Sequence, residues 1–433
     1  MPGQISNRPN RISMRFNTLE DWLDWQSTLH PKEIELGLDR VQKVWQSLAT
    51  SSLNCKVITV AGTNGKGSCV AFLDTILRSA SYRTGCYTSP HLVRYNERIV
   101  IDGEPASDAQ ICQAFEDVDQ ARGDIPLTYF EFGTLAALHL FSSANLDVAV
   151  LEVGLGGRLD AVNIIDPDVA LISTVDIDHT DWLGSTREAI AVEKAGIMRK
   201  GKPVIYAGLD MPATIPSAAE TVGARLLVAG VDYSWRTLEQ GWDWLHKEHP
   251  RHSLPLPNMR GRFQLQNASA ALMALECLRL DLPLDQRAVR YGLQEAKLAG
   301  RYQVVGRDPV VVLDVAHNPQ AATALAENLG DMFCHGKSVA VFSMLADKQI
   351  AEVVKILSPR IDQWNLYPIT AARAAPLPQL EAALQSEGIE PARTARFNDI
   401  TSAYTAAKES AGADGRVVVF GSFYSVGDVM RLL

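Results

Sequence analysis

The chain has 433 residues, 47% hydrophobic and 21% charged, with a net charge of −9 at pH 7. It is too long for one hydrophobic core and predicts two or three domains of an ordinary globular protein. The acidic balance excludes a general nucleic-acid or membrane-surface binder. No apolar run reaches the ~20 residues of a membrane helix. The six cysteines form no C-x-x-C pair, and the N-terminus carries arginines without an apolar secretory core. A reduced, cytoplasmic protein is expected.

About 55 residues that read as helices precede the first predicted strand, 56–61. Its β-branched run, Val57 to Val60, leads into Ala61-Gly62-Thr63-Asn64-Gly65-Lys66-Gly67-Ser68 and an amphipathic segment over 70–78. Strand, glycine-rich turn and helix together cradle phosphate oxygens with backbone N–H groups and a helix N-terminus. Lys66 supplies the point charge, and a nearby hydroxyl can reach Mg²⁺. The motif departs from Walker A: Val60 stands at the first glycine position, and Gly67 follows the lysine with Ser68 one step late. Nucleotide binding is the reading.

Strands at 84–87, 146–153, 169–175 and 203–207 alternate with helix-period segments at 111–121, 131–142 and 186–198. This is the βαβ grammar of a doubly wound α/β domain. Three polar loops follow the strands, where open α/β sheets hold their ligands: Thr88 to His91, Glu152 to Arg158 and Asp176 to His179. Ser89, Glu152 and His179 offer a partial Mg²⁺ shell. On chemistry alone His179 is equally a hydrogen-bonded core residue, whereas Glu152, after an apolar strand, needs a partner. Gly154, Gly156 and Gly157, ending in Arg158, point to an anion site. Trp235, Trp242 and Trp244 alternate with polar residues over 227–256 as a small antiparallel β patch. His246 to His252 reads as a solvated turn rather than a metal site. Helices follow at 263–280 and 291–297.

After the connector Lys297-Leu298-Ala299-Gly300 a second α/β series begins, with strands at 310–315, 338–342, 363–368 and 416–420. The expected fold is a P-loop doubly wound α/β domain over 1–297, followed by a smaller Rossmann-like α/β domain over 298–433. In the latter, 310–315 delivers Asp314 and His317 to a loop closed by Pro319. Arg301, at the hinge, either reaches phosphates held by the other domain or forms an interdomain ion pair. Lys66, Arg158, Arg301 and Lys348 are the cations with which an acidic chain could hold a polyanion.

Eight blocks in order then carry a resemblance. They are Ala61 to Ser68; Thr88 to Leu92 with Asn96-Glu97-Arg98; Glu152 to Asp160; Asp178-His179 with Leu183-Gly184; Lys194 to Ile197; Gly300-Arg301; Asp314 to Pro319; and Gly421-Ser422-Phe423. Together they resemble the folylpolyglutamate synthase/dihydrofolate synthase family of ATP-dependent Mur-type amide ligases, from Ile34 almost to the C-terminus. Leu127 to Glu131 further resembles the bifunctional bacterial branch. The resemblance implies ATP-driven addition of L-glutamate to 7,8-dihydropteroate and to the γ-carboxylate of reduced folates, through an acyl phosphate. By position it makes Ser89, Glu152 and His179 magnesium ligands and Lys194 a carbamylated lysine that could join them. Thr63 to Ser68, Asn267, Arg301, Asp314 and His317 become ATP contacts; Thr128, Phe130 and Asp160 face the pterin. Lys66, Lys194, His179 and Arg301 are the catalytic set. A monomer and a monovalent cation cofactor also belong to what it implies.

Departures are Val162 where Thr is usual, Ala299 for a common Pro, and Gln349 for a frequent acid; only the first bears on the pterin side. A monofunctional folylpolyglutamate synthase is the alternative. A peptidoglycan-precursor ligase would carry a uridine-nucleotide domain ahead of the P-loop. A nonenzymatic nucleotide switch would need a guanine-specifying N-K-x-D motif.

Overall fold

The protein is described by a computed structural model over residues 14–32, 34–48 and 52–433. Its larger sheet has eight strands, in the order Glu104–Pro105, Ile99–Ile101, Thr84–Tyr87, Val148–Glu152, Lys56–Ala61, Val169–Ile172, Pro203–Tyr206, Arg225–Val228. The strands from Thr84–Tyr87 onward run parallel, and the two at the other edge are antiparallel. Side chains alternate across the central strand Lys56–Ala61. Ile58 and Val60 enter one core with Phe72, Leu73, Trp244 and Leu272, while Val57 faces Phe115, Phe132 and Leu151 on the other side. A strand buried on both faces has little room for polar residues, which is why it reads as a continuous apolar run. The strands after the P-loop lie on both sides of Lys56–Ala61, so the crevice at their carboxyl ends is the topological switch point.

Three strands, Tyr233–Leu238, Gly241–His246 and Arg251–Leu254, form the antiparallel patch. It packs on the helix Arg262–Cys277 through Trp242 and Trp244, both fully buried. The Trp244 indole N–H donates to the Ser269 carbonyl at 3.2 Å, the partner a buried indole requires. The segment 246–252 does turn between two strands, but it is not simply solvated. His246 stacks on both Trp244 and His249, and His249 Nδ1 lies 2.9 Å from Glu276 Oε1. Ligand atoms of His246, His249 and Glu276 lie within 4.8 Å of one another.

The second sheet has six strands, in the order Gln303–Arg307, Val310–Leu313, Arg416–Phe420, Ser338–Phe342, Gln363–Leu366, Thr394–Arg396. Only the first is antiparallel, and the sheet has its own cores on its two faces. The four inner strands are those the apolar runs predict. The two edge strands escape that signal because an edge is partly solvated and carries polar residues. The helix expected at 291–297 is Gln286–Glu295, and it starts earlier because the Asp285 carboxylate caps it by accepting the Ala288 N–H at 2.7 Å.

Candidate active site

Gly65 holds φ 88° and hands the chain into the helix Lys66–Ser79 without a side-chain cap. The first N–H groups of that helix have no side-chain acceptor and are available to an anion. A Cβ on Gly65 would come within 2.6 Å of the Asn267 amide oxygen, so glycine is required by both φ and contact. Asn267 is buried behind the loop and does not line the cleft. Ser68 is likewise buried in the helix, outside the cleft lining. The loop is tied down elsewhere: Thr63 N–H donates to the Thr174 carbonyl at 2.8 Å and Thr63 Oγ1 to the Asp176 carbonyl at 3.0 Å. Lys66 Nζ meanwhile donates to the Gly62 and Thr63 carbonyls at 2.9 and 3.2 Å. Burial lowers its pKa, while the Glu152 charge opposes the shift.

A polar cleft of about 100 Å³ gathers Thr63 to Gly67, Ser89, Glu152, Asp178, His179, Lys194, Arg301 and His317. Glu152 ends its strand 5% exposed, and its carboxylate accepts one long bond, from Ser89 N–H at 3.4 Å. Burial raises its pKa against the pull of Lys66 and Arg301. His179 occupies the left-handed region at φ 53°, and burial pushes its pKa down to about 4 despite Asp178. Its ring is therefore neutral near pH 7, with a lone pair to give. A hydroxyl, an under-satisfied carboxylate and a neutral imidazole lining one cleft fit a divalent cation. Lys194 is 4% exposed; burial, aided by Lys66, pushes its pKa down to about 7.

The second domain closes the cleft. Asp178 receives Lys348 Nζ at 2.6 Å and Asn318 Nδ2 at 3.1 Å, with His317 Nε2 at 3.5 Å. Burial works against this charge, but His317, His179 and Lys348 outweigh it and hold its pKa far below the ordinary carboxylate value. Asn64 Nδ2 donates across the same gap to Asn318 Oδ1 and Gln320 Oε1, at 3.1 and 2.6 Å. Asp314 spends both oxygens on its own loop, accepting Tyr302 and Ala316 N–H groups at 2.8 Å each. It sits beside Arg301, whose guanidinium lies 5.4 Å over the Phe423 ring.

A larger cavity of about 440 Å³ opens beside the cleft. Ser89, Gly154, His179, His317 and Phe423 line both. Thr128, Phe130 and Asp160 line the cavity. The Thr128 hydroxyl caps the helix Tyr129–Ser143 by accepting Glu131 N–H, and Glu131 returns the bond to Thr128 N–H at 2.7 Å. Phe130 leans on Gly154, where a Cβ would meet the ring at 2.6 Å. Asp160 accepts Leu155 and Val162 N–H groups at 2.8 and 2.9 Å, and burial raises its pKa to about 6 against these bonds.

Gly154 and Gly156 line the polar cleft, but Arg158 departs from the anion-site reading of their loop. Its guanidinium pairs with Glu193 at 2.8 Å, is half-exposed, and lines neither cavity. Val162, the departure on the pterin side, is fully buried and lines neither cavity. The contacts of Asp178 with Lys348 and Asn318, and of Asn64 with Asn318 and Gln320, go beyond what the sequence pattern indicates. The only local signal was an acid next to His179.

Family models match residues 60–275, the Mur ligase middle domain, and residues 300–423, the Mur ligase glutamate ligase domain. Fold and cleft thus define an ATP-dependent ligase of the Mur type. The dihydrofolate synthase/folylpolyglutamate synthase of Escherichia coli is 42% identical over 423 residues, covering 98% of this chain and 97% of its own. A structure of E. coli FolC in complex with DHPP and ADP has a TM-score of 0.90 at 42% identity, over 96% of this chain and 97% of that one. A bifunctional folylpolyglutamate synthase/dihydrofolate synthase with Mn, AMPPNP and L-glutamate bound has a TM-score of 0.89 at 44% identity, over 96% of this chain and 98% of that one. The chain belongs to the dihydrofolate synthase/folylpolyglutamate synthase family.

Proposed function

We propose that this ligase uses ATP to join L-glutamate to 7,8-dihydropteroate and to the γ-carboxylate of reduced folates. The observation that carries the reading is the shared wall of the two cavities. A nucleotide held at the P-loop turns its γ-phosphate toward Ser89, Gly154 and His317, which also line the cavity large enough for a pterin acceptor. An acceptor carboxylate oxygen attacks the γ-phosphorus and ADP leaves. The glutamate amine then attacks the acyl carbon, and phosphate departs as the amide forms. A carboxylate is a poor acyl donor, so ATP supplies the leaving group.

The P-loop N–H groups, Lys66 and Arg301 offset charge on the transferring phosphoryl group. Asp314 orients Arg301, and His317 reaches the cleft from the second domain. Ser89, Glu152 and His179 would hold the divalent cation, assigned here as Mg²⁺, which supplies charge neutralisation at the phosphates. Lys194 is suited to carbamylation: a buried amine with a pKa of about 7 is substantially neutral at pH 7 and can add CO₂, releasing one proton. Phe130 stacks on the pterin and Asp160 accepts its N–H groups. Closure by the Asp178 clamp excludes water from the acyl phosphate. The same reading divides the chain at residues 297 and 298 and makes it a cytoplasmic monomer. No described helix is long and apolar enough to cross a membrane.

Glutamate-dependent ADP release tests the reading, with dihydropteroate and then tetrahydrofolate as acceptor. Turnover with both is expected. Turnover with tetrahydrofolate alone would make the enzyme monofunctional, and none with either would end the assignment.

A further inference from the structure

A buried guanidinium that forms no ion pair with any described residue lines the acceptor cavity. Arg98 closes the 3₁₀ turn Tyr95–Arg98, is 9% exposed, and borders the cavity beside His91 and Tyr129. Its Nε donates to His91 Nδ1 at 2.8 Å, so its protein acceptor is an uncharged lone pair. The guanidinium carbon lies 5.3 Å from the Tyr95 ring centroid and 5.6 Å from that of Tyr129. Among the described residues no carboxylate comes within 4.0 Å of it.

Two acids of the neighbouring turns are engaged elsewhere, and Glu152 feels the Arg98 charge without forming an ion pair with it. Glu97 accepts the N–H groups of Leu92, Val93 and Arg94 at 2.8, 2.9 and 2.7 Å. Asp108 takes Asn96 at 2.8 Å and Arg94 at 3.2 Å. Buried cations are ordinarily paired. Two aromatic faces offset part of the desolvation but leave the terminal N–H fork, built for bidentate carboxylate recognition, without a partner.

The two acceptors differ in the group such a fork would meet. Dihydropteroate has one carboxylate, and it is the one activated. A folate ends in glutamate, whose γ-carboxylate is activated while its α-carboxylate stays charged inside the cavity and needs a cation. We propose that Arg98 binds this α-carboxylate, so that the residue serves folate extension and is dispensable to the first glutamate addition. The inference rests on the acceptor reading given above. The same chemistry would suit the α-carboxylate of the incoming L-glutamate, and the kinetics separate the two sources.

The test is steady-state ADP release by wild type, Arg98→Met and Arg98→Lys, with each acceptor and with glutamate varied. Losing one partner of a buried charge pair corresponds to roughly 30-fold or more in affinity. The expected result is therefore a rise in KM for tetrahydrofolate at least ~10 times larger than for dihydropteroate in Arg98→Met, partly recovered in Arg98→Lys. A rise confined to the KM for glutamate, equal with both acceptors, would overturn the assignment to the folate tail and move the fork to the amino-acid substrate. Unchanged KM values, or equal losses that extend to ATP with a lowered Tm, would overturn carboxylate recognition altogether. Wild-type enzyme inactive with both acceptors would instead refute the functional reading beneath it.

Discussion

The phosphate cleft of about 100 Å³ and the acceptor cavity of about 440 Å³ share a wall but manage charge in different ways. The cleft concentrates opposite charges: Lys66 and Arg301 act on Glu152, and Asp178 is saturated by Lys348, Asn318 and His317. The cavity keeps its polar groups quiet. Thr128 and Glu131 satisfy each other as a capping box, Asp160 already accepts two backbone N–H groups, and Arg98 forms no ion pair among the described residues. The charges of the cleft thus suit the polyanion and metal proposed for it, whereas the cavity offers shape and few directed bonds. A ligand-binding cavity of this kind draws affinity from apolar contact and orientation from a few polar groups.

The contrast can be broken most sharply at Lys66. Lys66→Ala should reduce ADP release with both acceptors by ~10³-fold, the scale of losing one pre-organised charge on a developing anion. Rates near wild type in a coupled assay would mean that the phosphates lie elsewhere. Asp178→Ala leaves the Lys348 ammonium, 6% exposed, without its partner, at a cost of about 3 kcal/mol. A ~100-fold fall in kcat is expected, with a larger radius of gyration in small-angle scattering; unchanged scattering and kcat would remove the clamp from closure.

On the cavity side, Phe130→Ala removes a ring worth about 2 kcal/mol of contact. The KM for dihydropteroate should rise ~30-fold while the KM for ATP barely moves, and a matching shift in both would show that the two sites are not separable. Lys194 gives the smallest effect. With a pKa of about 7, its neutral amine grows about 10-fold between pH 6 and pH 8. Reactivation of CO₂-depleted enzyme by bicarbonate, compared at equal dissolved CO₂, should accelerate by that factor; a pH-independent rate would speak against carbamylation.

Much of this was legible in the chain. Lys56–Ala61, Thr84–Tyr87, Ser338–Phe342 and Arg416–Phe420 match the strands expected from apolar runs to the residue. Parallel strands buried on both faces leave no other pattern. The residues expected at the cleft from the strand-end loops, Ser89, Glu152 and His179, do line it together, because the sheet brings the carboxyl ends of its strands to one crevice. Edge strands such as Gln303–Arg307 and Thr394–Arg396 were silent, being half-solvated and partly polar.

By itself, the sequence determined the backbone: where the strands run, where glycine must turn the P-loop, and which family the eight blocks resemble. Only the tertiary structure decided the direction of the charges. Arg158 follows Glu152 by six positions yet turns outward to Glu193, while Arg98, in the Asn96-Glu97-Arg98 block, lines the cavity and makes no ion pair among the described residues. Asp178 meets Lys348 across 170 residues of chain. Backbone geometry is encoded by neighbours a few positions apart, but the partner of a long charged side chain is whatever the packing of distant elements puts within about 4 Å. No local pattern carries that information.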